Sequence, residues 1–340
     1  MSSSRPAAAR PVFRSPLQIL GSGHALPRTC ITSDALDVVH GKPEGWLYKR
    51  SGVAQRYVCG SEDQLDLALD AAGQALAEAQ CEPTDVALVL FAAAVPYQSI
   101  PATAPLIQQK LGIQDGACMS FDVNSTCLSF VTALDIASRM IPAGRKALVV
   151  AAEVASRGLP WVTDPQIAAL FGDGAAAVVV DAATDEAGVV ASRMETYPSA
   201  YNACTLGAGG TRYDYHQDRE AFDANSFFRM DGEALYRVTV KHFEPFLDRL
   251  LKDAGWTRDE VDVVIPHQAS PGALAHLARR CGFKSDIVVN IVRDHGNQIA
   301  ASIPTALSIA RQTQRALTGH KALILGTSAG ISLGGMALVL

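Results

Sequence analysis

At 340 residues, 49% hydrophobic and 19% charged, the chain has material for two domains or one large one, and its composition argues against a disordered or low-complexity protein. A net charge of −5 offers no basic surplus for nucleic acid or an anionic membrane, and no uncharged apolar run reaches the ~18 residues of a membrane span. The seven cysteines (30, 59, 81, 118, 127, 204, 281) are scattered and contain no C-x-x-C pair, which argues against a disulfide framework and a zinc site and suits a reducing, cytoplasmic setting.

Residues 1–16 carry Arg5, Arg10 and Arg14 with no acid and no apolar core, and read as a disordered arm rather than a transit peptide. Residues 17–20 predict a first strand, ended by a turn at Gly21-Ser22-Gly23. That glycine pair is not a dinucleotide fingerprint, because Leu26 stands where a third glycine belongs. Trp46 beside Lys49 and Arg50 sets one aromatic among cations, a pattern usually found on solvated surface. An Ala-rich helix over 66–79, an apolar strand over 86–95 and a helix over 102–111 follow.

The next stretch, Phe121-Asp122-Val123-Asn124-Ser125-Thr126-Cys127, reads as a short strand that turns through three polar residues into an apolar helical run over 128–141. Cys127 then stands in the first turn of a helix, where unpaired N–H groups and the helix dipole favour a thiolate. A covalent nucleophile and a small core residue are both open to it at this point. Residues 146–155 predict a strand, and Phe171-Gly172-Asp173-Gly174 precedes another over 175–180, its glycines marking close backbone approach rather than a phosphate site. Over 191–225 the periodicity fades into a Gly-, Tyr- and charge-rich connector, expected to shape a pocket entrance.

The second half repeats the first. The apolar strand at 261–265 follows Asp259-Glu260 as that at 86–90 follows Asp85. At the same separation along the chain, Lys321-Ala322-Leu323-Ile324-Leu325 mirrors Lys146-Ala147-Leu148-Val149-Val150. Between them, and nearly in that register, Thr305-Ala306-Leu307-Ser308-Ile309-Ala310 echoes Thr132-Ala133-Leu134-Asp135-Ile136-Ala137. This predicts two homologous α/β halves, 17–190 and 226–340, joined by the connector and packed about a pseudo-two-fold axis, with the helices after Cys127 and Asn297 paired at the centre.

Three polar signatures in the second half fall at predicted strand ends, where α/β proteins bind and react. Pro266-His267-Gln268-Ala269-Ser270 follows 261–265; His295-Gly296-Asn297 follows a predicted strand over 287–292 and opens a helix; Gly326-Thr327-Ser328-Ala329-Gly330 follows 321–325. Singly, each has a structural reading. Together, one Cys at a helix start, a His, an Asn and a Gly-rich loop make a covalent acyl-transfer site, in which the thiolate carries the acyl group and the His and Asn donors stabilise an enolate.

On the stretches DVNSTCLSF, FGDGAAAVV, PHQAS, HGNQIAASIP and the Gly-rich C-terminal turn, the chain from about residue 17 onward resembles the β-ketoacyl-ACP synthase III family of the thiolase superfamily. The resemblance implies a five-layered α-β-α-β-α thiolase-like fold and a homodimer working in fatty acid or polyketide biosynthesis. It implies that Cys127 is acylated, that His267 and Asn297 support malonyl decarboxylation, and that the N–H groups of Cys127 and Gly330 form the oxyanion hole. Trp46, Arg50 and Ser270 fall at the coenzyme A and pantetheine entrance, Ile100 (reaching into the partner's channel) and Phe171 at the acyl channel, and Arg237, Arg279 and Arg280 at the carrier-protein docking face. Acyl-CoA or acyl-carrier protein and a malonyl thioester are the implied substrates, with no tightly bound cofactor and no metal. Three positions depart from the family: Ser270 ends HQAS where HQAN is usual, Pro165 replaces an Arg of the nucleotide grip, and Gly272 replaces a docking Arg. Ile100 stands where relatives that join two long chains carry a Glu, which counts against that activity.

Three other readings remain open on the sequence. The same scaffold can pass the acyl group to a hydroxyl, amine or other carbon in a secondary pathway. A cysteine protease shares the order Cys, His, Asn, but its local signature is missing around Cys127. A non-catalytic dimer partner usually loses the nucleophile that is present here.

Overall fold

Two sheets carry the architecture. In the computed structural model, which describes residues 17–142, 144–182 and 187–340, the first sheet holds β1 (Gln18–Ala25), β2 (Val86–Ala92), β3 (Met119–Val123), β4 (Lys146–Glu153) and β5 (Gly174–Asp181) in the order β1-β5-β4-β2-β3. The second holds β6 (Gly188–Thr196), β7 (Val263–Pro266), β8 (Lys321–Ser328) and β9 (Ser332–Val339) in the order β7-β8-β9-β6. The expected arm at 1–16 lies outside the described residues.

The repeat read in the sequence is present in the hydrogen-bond register. Strands β2 and β4 are parallel with Leu88 opposite Ala147; β7 and β8 are parallel with Val263 opposite Ala322, the positions that the repeat makes equivalent. Antiparallel β5 then flanks β4 as β9 flanks β8.

Alternation along each strand gives every sheet two apolar faces. Leu88 and Leu90 join Val263, Ile265 and Ile324 in a core between the sheets, filled by α2 (Ser129–Met140) and α5 (Ser302–Gln312). Val89 and Phe91 point the other way, onto α1 (Gln64–Glu78). On the far side of the second sheet, Leu323 and Leu325 meet α3 (Gly232–Ala254) and the end of α4 (Pro271–Cys281). The layers run α-β-α-β-α, and the two central helices are the expected pair. Among the described residues no helix is long and apolar enough to cross a membrane.

Three expectations change. Strand β1 does not stop at Gly21-Ser22-Gly23 but runs through it. A Cβ on Gly21 would lie 2.4 Å from the Ala75 carbonyl oxygen and one on Gly23 2.4 Å from that of Ala71, so the glycines let α1 press onto the strand backbone. The segment at 287–292 is no strand. It makes one bridge, Val288 to Val264, before the Gln268 side chain takes the N–H groups of Ile291 and Val292 at 2.9 and 3.1 Å and turns the chain away from the sheet. The connector starts after Thr196 rather than at 191, because β6 pairs with β9 as far as Thr196. Its base is closed by a two-residue ladder, Cys204 with Met230 and Thr205 with Arg229.

Candidate active site

One turn, built twice, places the central groups. After β3, Asn124 Oδ1 accepts the Thr126 N–H at 2.9 Å and Ser129 Oγ accepts the Ser125 N–H at 2.9 Å. In the equivalent turn of the second half, Asn297 Oδ1 accepts the Ile299 N–H at 2.8 Å and Ser302 Oγ accepts the Gln298 N–H at 3.0 Å. Thr126 and Ile299 both lie in the left-handed region, at φ +51° and +50°, where a β-branched residue persists only if its surroundings hold it. The two turns touch at the centre of the molecule. Cys127 occupies in one turn the place that Ala300 occupies in the other.

Cys127 sits in the 3₁₀ turn Thr126–Leu128 that leads into α2. Its own N–H and that of Ala329 lie near the sulfur and favour its ionised form. These two N–H groups face the resting sulfur, whereas the expected pair of Cys127 and Gly330 is for the oxygen of a bound thioester. Gly330, at φ +75°, makes the bend from β8 into β9 and leaves its predecessor facing the thiol. The expected thiolate is also corrected. Burial, then the nearby Glu153 and Cys204, push the thiol up to about 12, and two N–H groups do not offset the loss of water. The resting group is a thiol.

His267 ends the second sheet's parallel pair, its N–H donating to the Leu325 carbonyl at 2.7 Å. Burial pulls the imidazole down to about 4, so the ring is neutral, and its Nδ1 has no partner among the described residues. Asn297 is fixed from both sides: its N–H donates to Leu170 O at 2.8 Å and its carbonyl accepts from Gly172 at 3.1 Å. The glycines allow this approach, since a Cβ on Gly172 would lie 2.3 Å from the His295 oxygen. With Oδ1 occupied, Asn297 has only its NH₂ to offer, at present on a long 3.4 Å contact to Ala269 O. Gly326 lies between Leu128, next to Cys127, and His267, so the histidine stands beside the nucleophile's turn, which also touches the turn of Asn297.

The outer residues fall into separate places. The helix Trp46–Ser51 ends at Gly52 against Pro271, the first residue of α4. On it the Arg50 guanidinium stacks 3.9 Å over the Trp46 ring. The Ser270 hydroxyl caps α4, accepting the Ala273 N–H at 3.1 Å. Beside His267 an apolar pocket opens between α3 and α4, lined by Tyr236, Phe243, Ala269, Leu277, Arg280 and Thr327. Phe171 is buried edge-on to Phe228, with ring centroids 5.3 Å apart, in a cluster that includes Ile299. Ile100 is 88% exposed and is not brought to the cleft of its own chain. Arg237, Arg279 and Arg280 are exposed; Arg237 pairs with Glu233 at 2.7 Å and Arg280 with Glu244 at 3.5 Å. A more open polar pocket at the connector, lined by Thr205, Arg212, Asn225, Arg229 and Asp231, includes none of Cys127, His267 or Asn297.

Sequence reasoning missed Ala329 and Glu153. The second left one trace, an acid closing the otherwise apolar run over 147–152.

The 3-oxoacyl-[acyl-carrier-protein (ACP)] synthase III family matches residues 121–198, and the C-terminal part of the same synthases matches 251–340. A β-ketoacyl-[acyl-carrier-protein] synthase III of Neisseria gonorrhoeae is 33% identical over 327 residues, and one of Rhizorhabdus wittichii 35% over 324. Each alignment covers 94% of this chain and 98% of the relative. The crystal structure of 3-oxoacyl-[acyl-carrier-protein] synthase III from Aquifex aeolicus, 30% identical, superposes with a TM-score of 0.84 over 95% of this chain and 100% of that one. With the cleft, the repeat and these likenesses in agreement, the chain belongs to the 3-oxoacyl-[acyl-carrier-protein] synthase III family.

Proposed function

We propose that the chain is a condensing enzyme that joins an acyl group, carried on Cys127, to the two-carbon unit left when a malonyl thioester loses carbon dioxide. The observation that carries this reading is a thiol under two backbone N–H groups that shares its cleft with a neutral histidine and an asparagine free only to donate.

In loading, Cys127 Sγ attacks the carbonyl of an acyl thioester, and its proton leaves with the departing thiol. The developing oxyanion is held by the N–H groups of Cys127 and Gly330, whose orientation the turns set beforehand. In condensation the malonyl carboxylate leaves as carbon dioxide and the bonding pair passes to the thioester oxygen. The ring N–H of neutral His267 and the NH₂ of Asn297 hold that enolate. Its carbon then attacks the Cys127 thioester, the carbon–sulfur bond breaks, and the sulfur takes up a proton. The product is a β-ketoacyl thioester two carbons longer than the acyl group. No cofactor enters the scheme.

The pocket between α3 and α4 suits a pantetheine arm, apolar along its walls and ending at His267. Arg237, Arg279 and Arg280 on the same two helices offer cations to an acidic carrier protein; Trp46 and Arg50 offer an entrance for a nucleotide. These features support acyl-CoA, acyl-carrier protein and malonyl thioester as substrates. Exposed Ile100 supports a homodimer in which each chain lines its partner's acyl channel.

The test is discharge. Protein preloaded at Cys127 is expected to release carbon dioxide and a β-ketoacyl thioester with malonyl-CoA or malonyl-carrier protein. An acyl-enzyme that ignores both and yields its load only to a hydroxyl or amine would replace this reading with simple acyl transfer.

A further inference from the structure

The two matching turns meet different strand ends. Against Cys127 the second half sets the end of β8, with the Ala329 N–H near the sulfur. By the register of the repeat, Glu153 at the end of β4 corresponds to Ser328 at the end of β8. It packs against the turn of Asn297, where the N–H of Ala300, the counterpart of Cys127, favours its ionised form.

Glu153 is 1% exposed and ends an apolar strand. Its Oε1 accepts the Ala94 N–H at 2.5 Å, and the carboxyl also takes the N–H of Val95. The Ala94 carbonyl in turn accepts Asn124 Nδ2 at 2.9 Å, and the Ala93 carbonyl accepts the Ser129 hydroxyl at 3.3 Å. Hydrogen bonds therefore run from the turn bearing Cys127 to this carboxyl, which in turn packs against the turn bearing Asn297. We propose that Glu153 is a positioning residue of the site, a buried carboxyl that ties the two catalytic turns together and sets the charge beside the thiol. Its part in condensation rests on the function proposed above; the tie and its effect on Cys127 do not.

Burial pushes the carboxyl up to about 8 despite the three N–H groups. The titratable groups set against it are Cys127 and Asp173, the latter also raised by burial. Arg157, on the turn after β4, acts instead on Cys59, Asp63 and Tyr97. Below about pH 8 Glu153 is neutral and adds no charge against ionisation of the thiol. Above it, a carboxylate in a medium of low polarity opposes the thiolate.

Two variants and two readouts test this. Alkylation of Cys127 by iodoacetamide, followed by peptide mass from pH 6 to 10, needs no substrate. Glu153→Gln keeps an acceptor oxygen but cannot ionise. It is expected to match the wild type below pH 7 and to react about three- to tenfold faster at pH 9.5, a tenfold change being one pKa unit. Superimposable profiles would overturn the electrostatic part. Glu153→Ala leaves three N–H groups without an acceptor and is expected to slow acyl loading and malonyl decarboxylation by about tenfold or more, with Glu153→Gln recovering most of the loss. Wild-type rates in the alanine variant would overturn the tie. If that variant does not fold, Glu153→Asp, one methylene too short to span both turns, replaces it with the same two outcomes. A wild type that neither loads nor decarboxylates would sink the function proposed above, while the alkylation profile still decides the role of Glu153.

Discussion

Gly326 and His267 stand side by side at the end of the parallel pair β7 and β8, so near that a Cβ on Gly326 would lie 3.0 Å from that of His267 and 2.9 Å from Leu128 Cδ2. A hydrogen is all that separates the residue after the nucleophile from the histidine. Gly326→Ala is therefore expected to cost about 1–3 kcal/mol through overpacking, and to lower turnover further by prising the two sides of the cleft apart. Urea midpoints and acyl-loading rates check this; a variant unchanged in both would mean that the neighbours yield freely.

The neutral state of His267 has a pH signature. Its folded value near 4 lies below the ordinary 6.5, so the unfolded chain binds the proton first as pH falls. Stability from this residue is full above about 6.5 and drains away on acidification, by about 2 kcal/mol between pH 7 and pH 5. His267→Gln, with nothing to titrate, should lose about that much less over the same interval in chemical denaturation. His24 and His295, also depressed by burial, titrate in both proteins and cancel in the comparison. Equal losses would show that His267 protonates normally.

Asn124 and Asn297 make the same turn bond and should part company in function. Replacing either by Ala removes an N–H acceptor and is expected to cost about 1 kcal/mol. Asn297→Ala should also cut malonyl decarboxylation by about 10²–10³, as loss of an oxyanion donor does. Asn124→Ala should act mainly on loading, because it holds the turn of Cys127. Matching decarboxylation losses in the two variants would contradict the assignment of the enolate donor.

Acyl loading itself should follow one sulfur. Incubation with an acyl thioester is expected to add a single acyl mass to the intact protein, and Cys127→Ala to abolish it while leaving the far-ultraviolet circular dichroism intact. An adduct that persists on another cysteine would move the nucleophile elsewhere.

The repeat was legible because it is written in apolar runs with the same flanking charges, and Cys127, His267 and Asn297 because polar residues at strand ends are few and each has a defined chemistry. Other features depended on what another part of the chain does. Whether Gly21 bends a strand or admits a helix turns on Ala75, far along the sequence in a different element. The segment at 287–292 has strand composition, but the Gln268 side chain holds the N–H groups a ladder would need. The helix start at Cys127 promised an acidic thiol, and burial reversed the sign.

The left-handed Thr126 and Ile299 also bear on how such a cleft came to exist. An unfavourable backbone shape that recurs with the same asparagine and serine around it is the mark of a copied segment. A half-length forebear pairing with its own twin would have presented two like turns to one shared seam, each with an amide and neither yet specialised. The division of labour between the two turns thus lies in their side chains, Cys127 against Ala300, on one shared backbone shape.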